Sequence, residues 1–240
     1  MMSLLERLPD DAGEGLVERT VRAVHDLIRA EGLRAGDGLP SETSLAVRLG
    51  VSRAVVREAF RSLAALKLID LGTGRRARVA APDSSVLALA LDHSVHIDQT
   101  SVQQILDVRR TIELRTVVLA ALRRTEPEAT AVAALAQAMS DDFDDGPRVM
   151  EHDIAFHEAI ATASRNPLFA LLVGAFHVVT RQTWPIGWVA RATDADRRAS
   201  VACHVAIAAA IAAKAPHRAE QAMAEHFDNS VKVLLAAGIT

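Results

Sequence analysis

Between residues 41 and 66 two short runs of helical apolar spacing are separated by one glycine, and no other feature constrains the fold as tightly. Pro40-Ser41 opens the first run, with Ser41 in the N-cap position and Leu45, Ala46 and Leu49 as its buried stripe. Gly50 ends it. Ser52 caps the second run, which extends to about Leu66 and takes its apolar side from Val55, Val56, Ala59, Phe60 and Leu63. Two short helices joined by a glycine-containing turn form a helix-turn-helix arrangement. A helix precedes the pair, because Leu16, Val17, Val21, Val24, Leu27 and Ile28 recur at helical spacing before Gly32. After the pair, Leu68-Ile69-Asp70-Leu71 and Ala77-Arg78-Val79-Ala80 flank the turn Gly72-Thr73-Gly74-Arg75-Arg76, the pattern of a β-hairpin wing.

Charge gives this segment a partner. Arg53, Arg57 and Arg61 stand at i, i+4 and i+8 on one helix face, where arginines at a helix start can fork onto guanine in a major groove. Ser52 and the free N–H groups of the same helix start suit a phosphate oxygen. The whole chain carries a formal charge of −3, which by itself speaks against nucleic acid. That figure averages unlike parts: residues 41–80 hold eight Lys/Arg against three Asp/Glu, and residues 83–240 hold fourteen against nineteen. A compact basic stretch is what a phosphate backbone requires.

The remaining two thirds are read as helix throughout. Half of the chain is hydrophobic, yet only six Phe, two Trp and no Tyr are present, a composition that disfavours strands. Helices are expected near 84–92, 101–124, 127–140, 148–163, 167–183, 194–214 and 217–236. Breaks fall at Glu126-Pro127, 141–147, Asn166-Pro167, 185–187 and Ala215-Pro216. The fold class is therefore mainly α: a winged helix-turn-helix domain over 10–80, a linker over 81–86, and an antiparallel all-helical bundle over 87–238. Trp184 and Trp188 flank the expected break at Pro185 and Gly187; they are read as packing residues, the alternative being that the broken helix edges the pocket. The single cysteine, Cys203, excludes an internal disulfide and suits a reduced, cytoplasmic setting. Residues 1–7 lack the basic start and apolar run of a signal peptide. No uninterrupted apolar run reaches the length of about 18 residues that a membrane span needs, and no membrane partner is expected.

Four polar residues on the apolar helices point to metal chemistry. Asp153 and His157 are i and i+4 on one helix, so their side chains share a face. His204 stands eleven residues before Ala215 and His226 ten after Pro216, which places them at the same height in a helical hairpin. One carboxylate and three imidazoles suit a divalent transition metal: zinc, with nickel and manganese as alternatives that these donors do not exclude. Cys203 points about 100° away from His204 on the helix and is a poor ligand. The other histidines, His25, His93, His96, His152, His177 and His217, are read as surface or hydrogen-bonded residues.

Two resemblances join these pieces. Leu39-Pro40-Ser41-Glu42, Leu49-Gly50-Val51-Ser52-Arg53, Val56-Arg57-Glu58-Ala59 and the glycine-rich wing together resemble the winged-helix domain of the GntR family of bacterial transcription regulators, from about Leu16 to Val79. That resemblance implies Arg53 and Arg57 as main operator contacts, Ser52 on the backbone and Gly74-Arg75 at the minor groove; Ser41 and Arg61 complete the DNA-facing set. The chain departs from the family pattern at Thr43, where an arginine is usual, and at Arg76 and Arg78 in the wing. The Asp153-x-x-x-His157 helix and Asp107-Val108-Arg109-Arg110-Thr111-Ile112-Glu113 resemble the FCD effector domain of the FadR subfamily, over about 84–237. Many such domains hold a divalent metal with one Asp and three His, and the matching positions are all occupied here. The resemblance also implies an effector carboxylate on the metal and on Arg109; the alternative for Arg109 is an i,i+4 pair with Glu113.

The expectation is a ligand-responsive regulator and not an enzyme, a repressor that binds double-stranded DNA at a palindromic operator as a homodimer. Its effector would be a small organic acid or sugar acid, and it would sit on the nucleoid when DNA-bound. The rival from another class is a metal-dependent hydrolase built on the dipeptide His152-Asp153. Against it, the two side chains diverge by about 100° on a helix and the winged helix would have no role.

Overall fold

A computed structural model of the chain describes residues 15–72 and 74–239. The expected domain start at residue 10, residues 1–7 and Thr73 of the wing turn lie outside the described residues. The chain divides into two compact units between Val86 and Leu87.

The first unit holds α1 (Leu16–Ala30), α2 (Glu42–Leu49), α3 (Arg53–Ala65) and the strands β1 (Ile69–Asp70) and β2 (Arg78–Val79). Ser41 Oγ accepts from Ser44 N–H and Ser52 Oγ from Val55 N–H, so both helices start at the serines expected as caps. Gly50 closes α2 in the left-handed region, with φ +68°. This conformation lets α3 begin within three residues. Val24, Leu27, Leu45, Val56 and Leu63 are fully buried and tie α1, α2 and α3 into one core. β1 and β2 pair antiparallel, Ile69 opposite Val79 and Asp70 opposite Arg78. The strands are shorter than the sequence suggests, and a third segment bonds to the chain at β2: Gly36 N–H and Leu39 N–H donate to the Val79 and Ala77 carbonyls, each at 2.8 Å. Arg78, one of the wing departures, donates to the Gly36 carbonyl at 2.5 Å and helps to hold that segment.

The second unit is helical throughout its described residues: α4 (Ser85–His96), α5 (Val102–Arg123), α6 (Glu126–Asp141), α7 (Gly146–Ala163), α8 (Pro167–Ala175), α9 (His177–Ala190), α10 (Asp194–Ala212) and α11 (Pro216–Ala236). Helix α5 packs against α7 and α11, and α10 packs against α6 and α11. Phe156, Ile160, Ile207, Ile211, Met223 and Phe227 fill the centre. Buried alanines such as Ala120, Ala161 and Ala210 keep the helices close. Among the described residues no helix is long and apolar enough to cross a membrane.

Three boundaries differ from the sequence reading. Helix α4 runs to His96 rather than to about 92. The expected helix 167–183 is two helices that meet at the buried Phe176, beside which His177 Nδ1 lies on the Gly174 carbonyl at 2.5 Å. The expected break at 185–187 is absent, and α9 runs through Pro185. A proline removes one helical donor, but neighbouring packing can hold the helix together. Here Trp184 and Trp188 stack at 4.8 Å on one face, and Trp188 meets the Phe143 ring edge-on at 5.6 Å.

The left-handed backbone at Gly50 sets the first prediction. A Cβ there meets no atom within 4 Å, so Gly50→Ala carries a conformational cost alone. The variant is expected to lose about 1–2 kcal/mol, read as a lower urea midpoint for the transition that carries the N-terminal unit. An unchanged midpoint would contradict this account of the turn.

Candidate functional site

Asp153 and His157 rise from one face of α7, His204 from α10 and His226 from α11, and all four are buried. One ligand atom from each lies within 4.8 Å of all the others. The His204 and His226 rings meet at 4.5 Å between centroids, as the equal heights in the α10–α11 hairpin require. The His157 ring stands 5.2 Å from His226 and 6.0 Å from His204.

The surroundings fix which nitrogen of each ring faces inward. Glu113 on α5 bridges two groups: Oε1 accepts from Arg109 Nε at 2.6 Å, and Oε2 makes a short contact with His157 Nδ1. With the Nδ1 proton held on the ring and donated in the hydrogen bond to Glu113, His157 Nε2 is left as a buried acceptor with no hydrogen-bond partner. His204 Nδ1 donates to the Ser200 carbonyl at 3.0 Å, while its Nε2 lies 2.9 Å from Asp153 Oδ1. A lone pair against a carboxylate oxygen needs a second proton or a cation between them. A buried acceptor without a donor and an imidazole facing a carboxylate both fit a metal ion at this point.

Electrostatics set the same donor forms. Burial pushes the His226 imidazole well below its usual range, helped by the neighbouring His204 and His157, so it is neutral at pH 7. Burial alone would raise the Asp153 carboxyl; the His204 hydrogen bond and the surrounding imidazoles overcome it and hold it well below the carboxylate range. Glu113 is likewise raised by burial and lowered further by Arg109 and His157, so it stays ionised. A neutral imidazole and an ionised carboxylate are the forms that bind metal.

The cluster opens into a pocket with about 580 Å3 of empty space, part of it open to solvent. Asp153 and His226 form its floor, and Arg109, Thr180, Trp184 and Arg191 stand in its wall. Arg109 is buried, donates from Nη1 to Thr180 Oγ1 at 2.6 Å and lies over the Phe227 ring at 5.4 Å. It is thus both paired with Glu113 and exposed to the pocket. Trp184 and Trp188 pack, as expected, and also wall the pocket. Three contributors were not visible in the sequence as site residues. Glu113 suggested only its i,i+4 pair with Arg109, and Thr180 and Arg191 carried no local signal. Cys203 lies outside the cluster and lines a neighbouring cavity.

The basic face of the first unit is assembled separately. Arg53 shares a cleft with Ser41, Thr43 and the wing residues Gly74, Arg75 and Arg76. Arg57 Nε lies 3.3 Å from Glu42 and Arg61 Nη1 3.2 Å from Glu58, both in exposed pairs. Such pairs are worth roughly 0–1 kcal/mol and yield to a phosphate or a base. Gly74 turns the wing at φ +68°. The Ser41 and Ser52 hydroxyls are engaged as caps. The dipeptide of the hydrolase reading is split, because His152 Nε2 turns to Asp142 at 2.8 Å while Asp153 joins the histidine cluster.

Comparison with known proteins covers both units. Residues 16–79 match the family described as bacterial regulatory proteins, gntR family, and residues 104–229 match the FCD domain. The chain is 31% identical to the HTH-type transcriptional regulator LutR of Bacillus subtilis over 87% of its length and 96% of that protein. It is 28% identical to the HTH-type transcriptional repressor NanR of Citrobacter rodentium, over 91% of this chain and 85% of that one. Among solved structures, a Streptococcus agalactiae GntR protein aligns with a TM-score of 0.63 at 26% identity, covering 88% of this chain and 97% of that one. These relatives are transcription regulators, and the hydrolase reading finds no support among them.

Glu113 is the testable joint of the site. Glu113→Ala leaves Arg109 as a buried cation without its carboxylate, and a loss of about 3–5 kcal/mol is expected. Denaturation of the purified variant reads this directly. A change below about 1 kcal/mol, the range of an exposed pair, would contradict the role given to Glu113.

Proposed function

The chain belongs to the GntR family of bacterial regulatory proteins, in the group that carries an FCD domain, and from that premise we propose that it is a metal-dependent, effector-controlled repressor. It is a transcription regulator rather than an enzyme. The finer reading is supported chiefly by one observation, the unpartnered Nε2 of His157 inside a four-residue donor set. Asp153, His157, His204 and His226 hold a divalent transition metal, zinc first, with nickel or manganese served by the same donors. The bound ion supplies a Lewis-acid position for an oxygen of a small organic acid or sugar acid.

The chain's own residues do the rest. Glu113 holds the His157 ring in the tautomer that turns Nε2 inward. Arg109, fixed by Glu113 and Thr180, donates to the effector carboxylate from the pocket wall. In the first unit Arg53, Arg57 and Arg61 enter the major groove. Ser41 and Ser52 present the helix starts to phosphate, and Gly74-Arg75 reaches the minor groove. A homodimer places two such units on a palindromic operator, because a two-fold protein matches a two-fold site. The domains run 10–80 and 87–238, and the linker 81–86 is the joint. Effector binding shifts the population of dimer arrangements in which both winged helices reach their grooves. The repressor sense follows the NanR relative, and the setting is the cytoplasm, on the nucleoid when DNA-bound.

Metal analysis of the purified full chain is expected to find about one divalent ion per chain, lost in His204→Ala. A wild-type protein that holds none after incubation with zinc, nickel or manganese would overturn the metal reading. For DNA, Arg57→Ala is expected to weaken binding to a fragment selected from genomic DNA by about 1–3 kcal/mol. Equal wild-type affinity for that fragment and a scrambled one would contradict the regulator's operator reading.

A further inference from the structure

Two arginines line the candidate ligand pocket, and their charges are in different states. Arg109 is neutralised by Glu113 at 2.6 Å. Arg191, the residue that ends α9, forms no ion pair among the described residues. Its one side-chain hydrogen bond there runs from Nη1 to the Gly187 carbonyl at 2.8 Å. A guanidinium has five N–H donors, so most of its capacity is uncommitted.

The placement of Arg191 is built into the helix. Its side chain folds back over Gly187, where an added Cβ would come within 3.3 Å of Nη1 and 3.7 Å of Leu234. A glycine at this buried helical position costs helix stability and leaves room for the guanidinium. Arg191 also borders a second cavity of about 930 Å3 of empty space, part of it open to solvent, which shares Ser200 with the first. Burial works against the Arg191 charge, and Asp153, Cys203 and Asp196 favour it without forming an ion pair with it.

Charge balance then states what is missing. With a divalent ion bound, the three imidazoles are neutral ligands, Asp153 cancels one of the ion's two charges, and Glu113 cancels Arg109. One positive charge remains at the ion and another at Arg191. A half-buried cation that no carboxylate contacts, Asp196 acting on it only at a distance, is unfavourable until an anion meets it. We propose that Arg191 is a specificity-determining residue that pairs with a second anionic group of the effector, so that the pocket selects small dicarboxylates over monocarboxylates. This rests on the metal reading above, and it gives Arg191 a task separate from that of Arg109.

The test compares two acids that differ only at the far end: malate, and 2-hydroxybutyrate, in which a methyl group replaces the second carboxylate. Calorimetry on the zinc-loaded full chain is expected to show malate binding roughly tenfold tighter, the scale of one charge-assisted hydrogen bond. In Arg191→Met the preference should fall to within about twofold through loss of malate affinity alone, with 2-hydroxybutyrate affinity and metal content unchanged; Arg191→Lys should keep part of it. A wild-type chain that binds neither acid, or both equally, overturns the proposal without any variant. A malate preference that survives Arg191→Met also overturns it, and leaves the metal reading standing. Failure of the metal reading has its own signature: no zinc bound by the wild-type chain, or malate affinity unmoved when zinc is stripped by a chelator.

Discussion

The buried bridge from Arg109 through Glu113 to His157 is the interaction on which the second unit depends. It carries an ion pair into the middle of a helical bundle, where a lone charge would be strongly unfavourable. Each of the three groups makes the next tolerable. Arg109 keeps Glu113 ionised, the Glu113 carboxylate accepts the Nδ1–H hydrogen bond of His157, and His157 is thereby committed to offering Nε2 to the cluster. The bridge also spans α5 and α7, so it fixes the register of the two helices that frame the pocket floor. A bundle built only to be stable would gain as much from apolar side chains at these positions. The polar bridge therefore argues for a site rather than for a core.

The rest of the second unit follows from that commitment. Phe156 and Phe227 close around the histidines, with Phe156 edge-on to His204 at 5.2 Å and Phe227 beside His226 at 5.3 Å. Apolar packing removes water from the cluster, which keeps His226 neutral and strengthens every polar contact inside it. Helix α9 lines the pocket with its stacked tryptophans, beside the folded-back Arg191. The first unit solves a different problem with different means. Its basic residues sit on exposed helix and wing positions held by serine caps and left-handed glycines, and its small core is apolar apart from the buried Thr20.

Much of this was legible in the sequence, and the exceptions have physical reasons. The serine caps and Gly50 are local features, and local rules placed α2 and α3 correctly. The α10–α11 hairpin could be read by counting from Ala215-Pro216, because a short turn leaves one possible register, and His204 and His226 do meet. The bend at Phe176 is not visible in the sequence, since a buried aromatic between two helices looks the same as one inside a helix. At Pro185 the sequence shows proline's local penalty but not the tryptophan stack beside it, and α9 continues through the residue. Glu113 could be seen as a helix neighbour of Arg109 but not as the partner of His157, 44 positions away. Thr180 and Arg191 belong to the same class: their roles come from tertiary placement, which leaves no periodicity to read.

The central claim is that Asp153, His157, His204 and His226 form one metal centre, and X-ray absorption at the metal edge tests it most directly. For the purified, zinc-loaded chain the account predicts a first shell of nitrogen and oxygen at about 2.0–2.2 Å, with the outer-shell scattering of imidazole rings. That signal should vanish in His204→Ala. A sulfur shell at about 2.3 Å, which Cys203 alone among the cysteines could supply, or a spectrum of zinc held only by water, would contradict it.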